Sequence, residues 1–169
     1  YLAGTFIDVK DFDYKTGVVN ISSNPSTLNN YYLASYDSTG SYRWAFRLAT
    51  TGIPEVNISN NGKVWINGDF NSNFDVDPGT TTNNLNTTNS TEFVSSYTSN
   101  GTYQAGFAFK GSGSIKEKVT ALNVSDSGNV IVGGMFSGAI DLDPFSTNLV
   151  FTSSLDSNAY IASYNASGT

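Results

Sequence analysis

Gly68-Asp69-Phe70-Asn71-Ser72-Asn73-Phe74-Asp75-Val76-Asp77-Pro78 combines three carboxylates, small and amide side chains, and a closing proline. The same shape returns as Gly134-Met135-Phe136-Ser137-Gly138-Ala139-Ile140-Asp141-Leu142-Asp143-Pro144. A worn copy opens the chain as Gly4-Thr5-Phe6-Ile7-Asp8-Val9-Lys10-Asp11-Phe12-Asp13-Tyr14. The lead glycines are roughly 65 residues apart, a fixed period that marks a repeat architecture. A motif that recurs in every repeat is read first as part of how each repeat is built.

Each repeat carries four short strand-like runs. Val56-Asn57-Ile58-Ser59 and Leu122-Asn123-Val124-Ser125 alternate apolar and polar residues, as a strand with two unlike faces does. Val64-Trp65-Ile66-Asn67-Gly68-Asp69-Phe70 and Val130-Ile131-Val132-Gly133-Gly134-Met135-Phe136 are nearly continuous in apolar residues, which predicts burial on both faces. The glycine recurring within that run predicts a close approach by a neighbouring backbone or ring. Tyr32-Leu33-Ala34-Ser35-Tyr36, Phe93-Val94-Ser95-Ser96-Tyr97 and Tyr160-Ile161-Ala162-Ser163-Tyr164 form the third run. Tyr42-Arg43-Trp44-Ala45-Phe46 and Tyr103-Gln104-Ala105-Gly106-Phe107 form the fourth. Glycines close the turns between runs, at Gly40, Gly62, Gly101, Gly128 and Gly168, where tight hairpins need positive φ.

Four antiparallel strands per repeat, in hairpin order and with a buried inner strand, predict an all-β fold of β-propeller-like blades. About two and a half blades are visible over the 169 residues. Residues 1–50 hold the second to fourth strands of one, 51–117 a whole one, and 118–169 part of a third. A blade with two apolar faces needs neighbours, so the chain reads as an excerpt of a longer protein. A β-sandwich is the alternative fold.

Composition narrows the chemistry. With no Cys and no His, the chain has no thiol nucleophile, no Ser-His-Asp triad, no disulfide and no Cys/His zinc site. Charged residues make up 13%, against about 25% in typical domains, and the net charge is −6. An acidic chain without a basic cluster predicts no nucleic-acid partner. No apolar run nears the roughly 18 residues of a membrane span, which predicts no membrane insertion.

The aligned words resemble the SBBP-type β-propeller repeats of large secreted bacterial proteins. They are Ser127-Gly128-Asn129-Val130-Ile131-Val132-Gly133-Gly134-Met135-Phe136-Ser137-Gly138, then Ile140-Asp141-Leu142-Asp143-Pro144, then Ile161-Ala162-Ser163-Tyr164 with Ser167-Gly168. A blade of that family reads like SGNVYVAGYFSG, VDFDPG and AFVAKYDSNG. Here Tyr14 stands for the proline of the first copy and Phe145 for the glycine of the last. Ser35, Ser96 and Ser163 stand where the family often has Lys, and the middle copy lacks the Trp kept at Trp44. The resemblance implies secretion, often as cargo of the bacterial type IX system, a long multidomain surface protein, and no activity.

Three readings of the Asp pairs (Asp11/Asp13, Asp75/Asp77, Asp141/Asp143) compete. A catalytic pair at i and i+2 has glycosidase-like spacing, but active sites are singular and this pair is repeated. No catalytic residue and no enzyme activity are therefore expected. A calcium site would draw on the same six carboxylates, with Asn71, Asn73 and loop carbonyls adding oxygens. The preferred reading is structural: the carboxylates face solvent, keep the edge from pairing with another sheet and cap the following loop.

Seven Asn-x-Ser/Thr triplets occur, and Asn86, Asn89 and Asn100, in polar stretches, are the candidate glycan acceptors. Residues 80–91 read as a long solvated loop, 110–118 as a mobile basic one, and Trp44 and Trp65 as packing residues. The expected function is a non-enzymatic extracellular or cell-surface scaffold or adhesin segment. Its partner would be a protein or glycan on a cell surface, or further copies of itself. The alternatives are a subunit of a self-assembling filament or surface layer, and an accessory propeller of a secreted hydrolase.

Overall fold

The structure is a computed structural model and describes residues 1–26, 30–87, 90–111, 118–145, 149–154 and 157–165. Among them there are strands and no helix. The first repeat comprises β1 (Leu2–Phe6), β2 (Val9–Asp11), β3 (Asn20–Ser22), β4 (Asn30–Tyr36) and β5 (Tyr42–Leu48). The second comprises β6 (Glu55–Ile58), β7 (Val64–Phe70), β8 (Phe74–Asp75), β9 (Asn84–Leu85), β10 (Thr91–Tyr97) and β11 (Tyr103–Ala108). Then come β12 (Lys110–Gly111), β13 (Lys118–Val124), β14 (Val130–Phe136), β15 (Ala139–Asp141), β16 (Val150–Thr152) and β17 (Asn158–Tyr164).

Three antiparallel sheets follow the repeat: β1-β4-β5, β11-β10-β7-β6 and β13-β14-β17. Between the second and third runs of each repeat a separate hairpin is inserted: β2-β3, β8-β9, and β15-β16 with β12 along its other edge. The stretch around 80–91 is thus not loop throughout, because Leu85 and Asn84 return to pair with Phe74 and Asp75.

The middle sheet is buried between its neighbours. Val64, Ile66, Phe93 and Tyr97 join Tyr31, Leu33 and Leu48 of the first sheet in one apolar cluster. Trp65, Val94, Phe107 and Phe109 join Val119, Leu122, Val130 and Tyr164 of the third sheet in another. Successive residues of β7 point to opposite faces, so its unbroken apolar run serves both clusters at once. The contact between sheets repeats too. Phe46 of β5 meets Tyr97 at 5.2 Å, and its counterpart Phe107 of β11 meets Tyr164 at 4.5 Å, centroid to centroid. Trp44 stacks on Phe46 at 5.4 Å, and its indole N–H donates to the Ser99 carbonyl of the next sheet at 2.9 Å. Trp44 and Trp65 are packing residues, as their alternation predicts.

The recurrent glycines sit beneath aromatic rings. Gly4, Gly68 and Gly134 pair across the strand with Tyr32, Phe93 and Tyr160. A Cβ would lie 2.8 Å from the Tyr32 hydroxyl at Gly4, and 2.7 Å from the Tyr160 ring, and against the Lys118 carbonyl, at Gly134. At Gly68 the nearest atoms stand 3.4 Å away, an ordinary contact. The turn glycines Gly40, Gly62, Gly101 and Gly128 have φ of 78–85°, as their positions require.

The outward face of the third sheet is apolar and open, whereas that of the first is partly covered by its own inserted hairpin, where Phe6, Phe12 and Ala34 are buried together. Leu2 is 51% exposed on the first sheet, and Met135 and Ile161 are 47% and 77% exposed on the third. The alternating burial of β14 and β17 shows one face packed and the other bare.

Candidate functional site

The Asp pairs fasten the inserted hairpins. In each repeat the first Asp turns one carboxylate oxygen onto two backbone N–H groups. Asp11 Oδ1 accepts from Asp13 and Val19, both at 2.9 Å. Asp75 Oδ1 accepts from Asp77 at 3.1 Å and Asn83 at 3.0 Å. Asp141 Oδ1 accepts from Asp143 at 3.0 Å and Leu149 at 3.2 Å. The second Asp caps the next turn, with Asp13, Asp77 and Asp143 accepting from the N–H of Lys15, Gly79 and Phe145. In the middle repeat Asp77 Oδ2 also accepts from the Asn83 amide at 3.0 Å. Loop ends bring backbone donors together with no carbonyl to meet them, and a short carboxylate on a fixed strand supplies the acceptor.

The residue between each pair turns inward and is held at both backbone atoms. Phe12, Val76 and Leu142 are buried, and their N–H groups donate to the carbonyls of Val19, Asn83 and Leu149. Their carbonyls accept from the hydroxyls of Tyr36, Tyr97 and Tyr164 at 3.1, 2.8 and 2.9 Å. These are the last tyrosines of β4, β10 and β17, so each ties the inserted hairpin to the main sheet of its own repeat. Burial pushes the Tyr97 and Tyr164 phenols well above their usual range. The carboxylates of Asp77 and Asp75 add to the rise at Tyr97, and those of Asp143 and Asp141 at Tyr164. Tyr36 and Tyr103 rise for the same first reason. The phenols are therefore neutral donors, as the geometry needs.

The capping role expected of the pairs is what the geometry displays, with two corrections. Asp141 is only 8% exposed and does not face solvent. Nor does it keep the edge unpaired: β15 pairs with β12 on one side and β16 on the other. The cause is local, because Lys110-Gly111 brings a short extended stretch alongside Ile140-Asp141.

As for calcium, the Oδ1 atoms of Asp11, Asp75 and Asp141 are already acceptors of two N–H groups each. Among the described residues no group of three or more Asp, Glu, His or Cys side chains is placed to hold a metal ion. Asn86 and Asn100 are exposed, whereas Asn89, most of residues 110–118 and the turn at Gly168 lie outside the described residues. Two participants escaped the sequence reading. Nothing in the run itself singles out the hydroxyls of Tyr36, Tyr97 and Tyr164, although the position is Tyr, never Phe, in all three copies. Val19, Asn83 and Leu149 share only a spacing of eight from the first Asp, and no side-chain type marks them.

No protein-family model, curated protein or solved structure matches this chain. Among the described residues no helix is long and apolar enough to cross a membrane.

Proposed function

We propose that the chain is a segment of a non-enzymatic extracellular repeat scaffold, in which each sheet is a blade of β-propeller type resembling the SBBP repeats. Its loops meet a protein or glycan on a cell surface. The observation supporting this most is the middle sheet, covered on both faces by copies of its own motif through the same Phe-on-Tyr contact. The outer faces leave apolar side chains exposed, Leu2 on one side and Met135 and Ile161 on the other. A repeat that buries itself only against its like is built to continue. The repeated Asp pairs fasten each hairpin, which favours a scaffold over an enzyme.

A second reading draws on the same bare faces. Separate copies of the chain cover one another and assemble into a filament or surface layer. The contact is head-to-tail, from the fourth strand of one sheet to the third of the next, and such contacts either close into a ring or run on.

The deciding measurement is the mass of the native polypeptide from its source, together with its sedimentation at high concentration. A mass well above 18.0 kDa supports further blades in one chain. A mass near 18.0 kDa with growing particles supports assembly. A monodisperse 18.0 kDa monomer with Met135 and Ile161 solvated would refute both.

A further inference from the structure

The repeats agree where they fasten and differ at a place where a cavity opens. Between the first two sheets, the loop Asn71-Ser72-Asn73 faces the ends of β4 and β5 across a space of about 440 Å³, lined also by Asn30, Thr50 and Thr51. At the matching place between the second and third sheets stand Ser137-Gly138-Ala139, two of which have no polar side chain. There β12 zips Lys110 to Asp141 and Gly111 to Ile140. Among the described residues no strand runs beside β8 except β9, so the first gap is not zipped.

One wall of the cavity is fixed by internal hydrogen bonds. The Tyr31 hydroxyl donates to the Thr51 carbonyl at 2.9 Å, Thr50 Oγ1 donates to the Gly52 carbonyl at 2.9 Å, and Asn30 Oδ1 accepts from the Asn24 N–H at 2.6 Å. The other wall is unused. Asn71, Ser72 and Asn73 are exposed, and among the described residues their side chains make no hydrogen bond. The volume lies within the about 300–1,000 Å³ typical of small-ligand sites. No carboxylate lines it, and Arg47 is its one charged residue.

Primary amides both donate and accept, as a pair of neighbouring sugar hydroxyls does. A phosphate would need a cluster of basic groups, and a metal ion would need carboxylates. We propose that this cavity binds a neutral mono- or disaccharide unit, with Asn71 and Asn73 as the specificity-determining contacts. The proposal rests on the surface-partner reading above and names the place where a glycan would be met.

The test is to titrate the ¹⁵N-labelled full chain with maltose, cellobiose, lactose and chitobiose, with galacturonate as the charged comparison. At least one neutral probe is expected to shift the amides of residues 50–51 and 71–73. The double substitution N71A/N73A should weaken that binding by about tenfold or more without changing the melting temperature. Ser72→Trp, which fills the space, should abolish it. No binding of any neutral probe overturns the proposal, as does binding of galacturonate alone. Binding that survives both variants also overturns it, while leaving glycan recognition to another surface. None of these outcomes touches the scaffold reading, which stands or falls on mass and sedimentation.

Discussion

Replacing Tyr97 by Phe deletes a single oxygen from the middle of the stack. That hydroxyl donates to the Val76 carbonyl at 2.8 Å, and neither residue is more than 1% exposed. The ring of Tyr97 and its contact with Phe46 are retained, so what is lost is the bond to Val76 and the one the hydroxyl accepts from Ser95 Oγ at 3.2 Å. The Val76 carbonyl then stays buried without its donor. A typical hydrogen bond contributes about 1 kcal/mol net, whereas an acceptor left buried and unmet costs about 1–3 kcal/mol. The expected loss for Y97F is about 2 kcal/mol, or about 4–8 °C in melting temperature for a chain of this size. Y36F removes the matching bond to Phe12 from a half-buried tyrosine, where water can take the place of the hydroxyl, and should cost about 1 kcal/mol or less. Urea unfolding measures both, and hydrogen exchange at the Val76 N–H should quicken in Y97F before global stability falls. If Y97F matched the wild type within about 0.5 kcal/mol, or if Y36F were the costlier change, the fastening role of the tyrosines would be wrong.

Further outcomes follow from other details. D75A strips the acceptor of the Asp77 and Asn83 N–H groups and should cost about 1–3 kcal/mol, with D75N milder because it keeps one oxygen; differential scanning calorimetry reads both. Calcium should leave the wild-type melting temperature unchanged, whereas an ion bound at a hundredfold over its dissociation constant would add about 2.7 kcal/mol. G134A should destabilise by about 1–3 kcal/mol, because its Cβ meets both a ring and a carbonyl, while G68A should be tolerated. G101A combines a φ of 82° with a Cβ 2.9 Å from Trp44, and should loosen the seam between the first two sheets, seen as increased Trp44 exposure in fluorescence quenching. In alkali, the raised phenols of Tyr36, Tyr97, Tyr103 and Tyr164 favour the protonated fold. Their contribution is complete below the ordinary tyrosine value of about 10 and is lost as pH climbs through the folded values, so unfolding free energy should fall from about pH 10 upward. Lys63, whose ammonium burial disfavours, runs the other way but is one group against four.

The sequence carried the larger features because they rest on repetition and periodicity. Gly4 and Gly134 announced a close approach, and Tyr32 and Tyr160 are the rings that make it. The unbroken apolar run at Val64-Trp65-Ile66 announced a strand buried on both faces, and its residues divide between two clusters. The inserted hairpins were hidden for a physical reason. A two-residue strand such as Asn84–Leu85 has no period to detect, and its place is set by the Asp75 carboxylate, which holds the preceding Asn83 from eight residues earlier in the chain. The polar run around it therefore read as loop. The tyrosine hydroxyls were hidden because an aromatic in a strand first suggests packing, and only the absence of Phe from that position in every copy hinted at the oxygen.

The way the hairpins are held has a consequence for how such a protein changes over time. In the middle repeat the fastening points lie at Asp75, Val76, Asp77, Gly79 and Asn83, while Thr80 to Thr82 lie exposed between them. Because the ends are pinned by side chains to a fixed sheet, the intervening segment can lengthen, shorten or exchange its residues with little effect on the rest. Closing a loop twice as long costs only about 0.6 kcal/mol. The middle repeat thus offers an interchangeable tip on a fixed mount. New surface chemistry could be tried at this tip alone, and a designer could graft a recognition peptide between Gly79 and Asn83 without disturbing the stack.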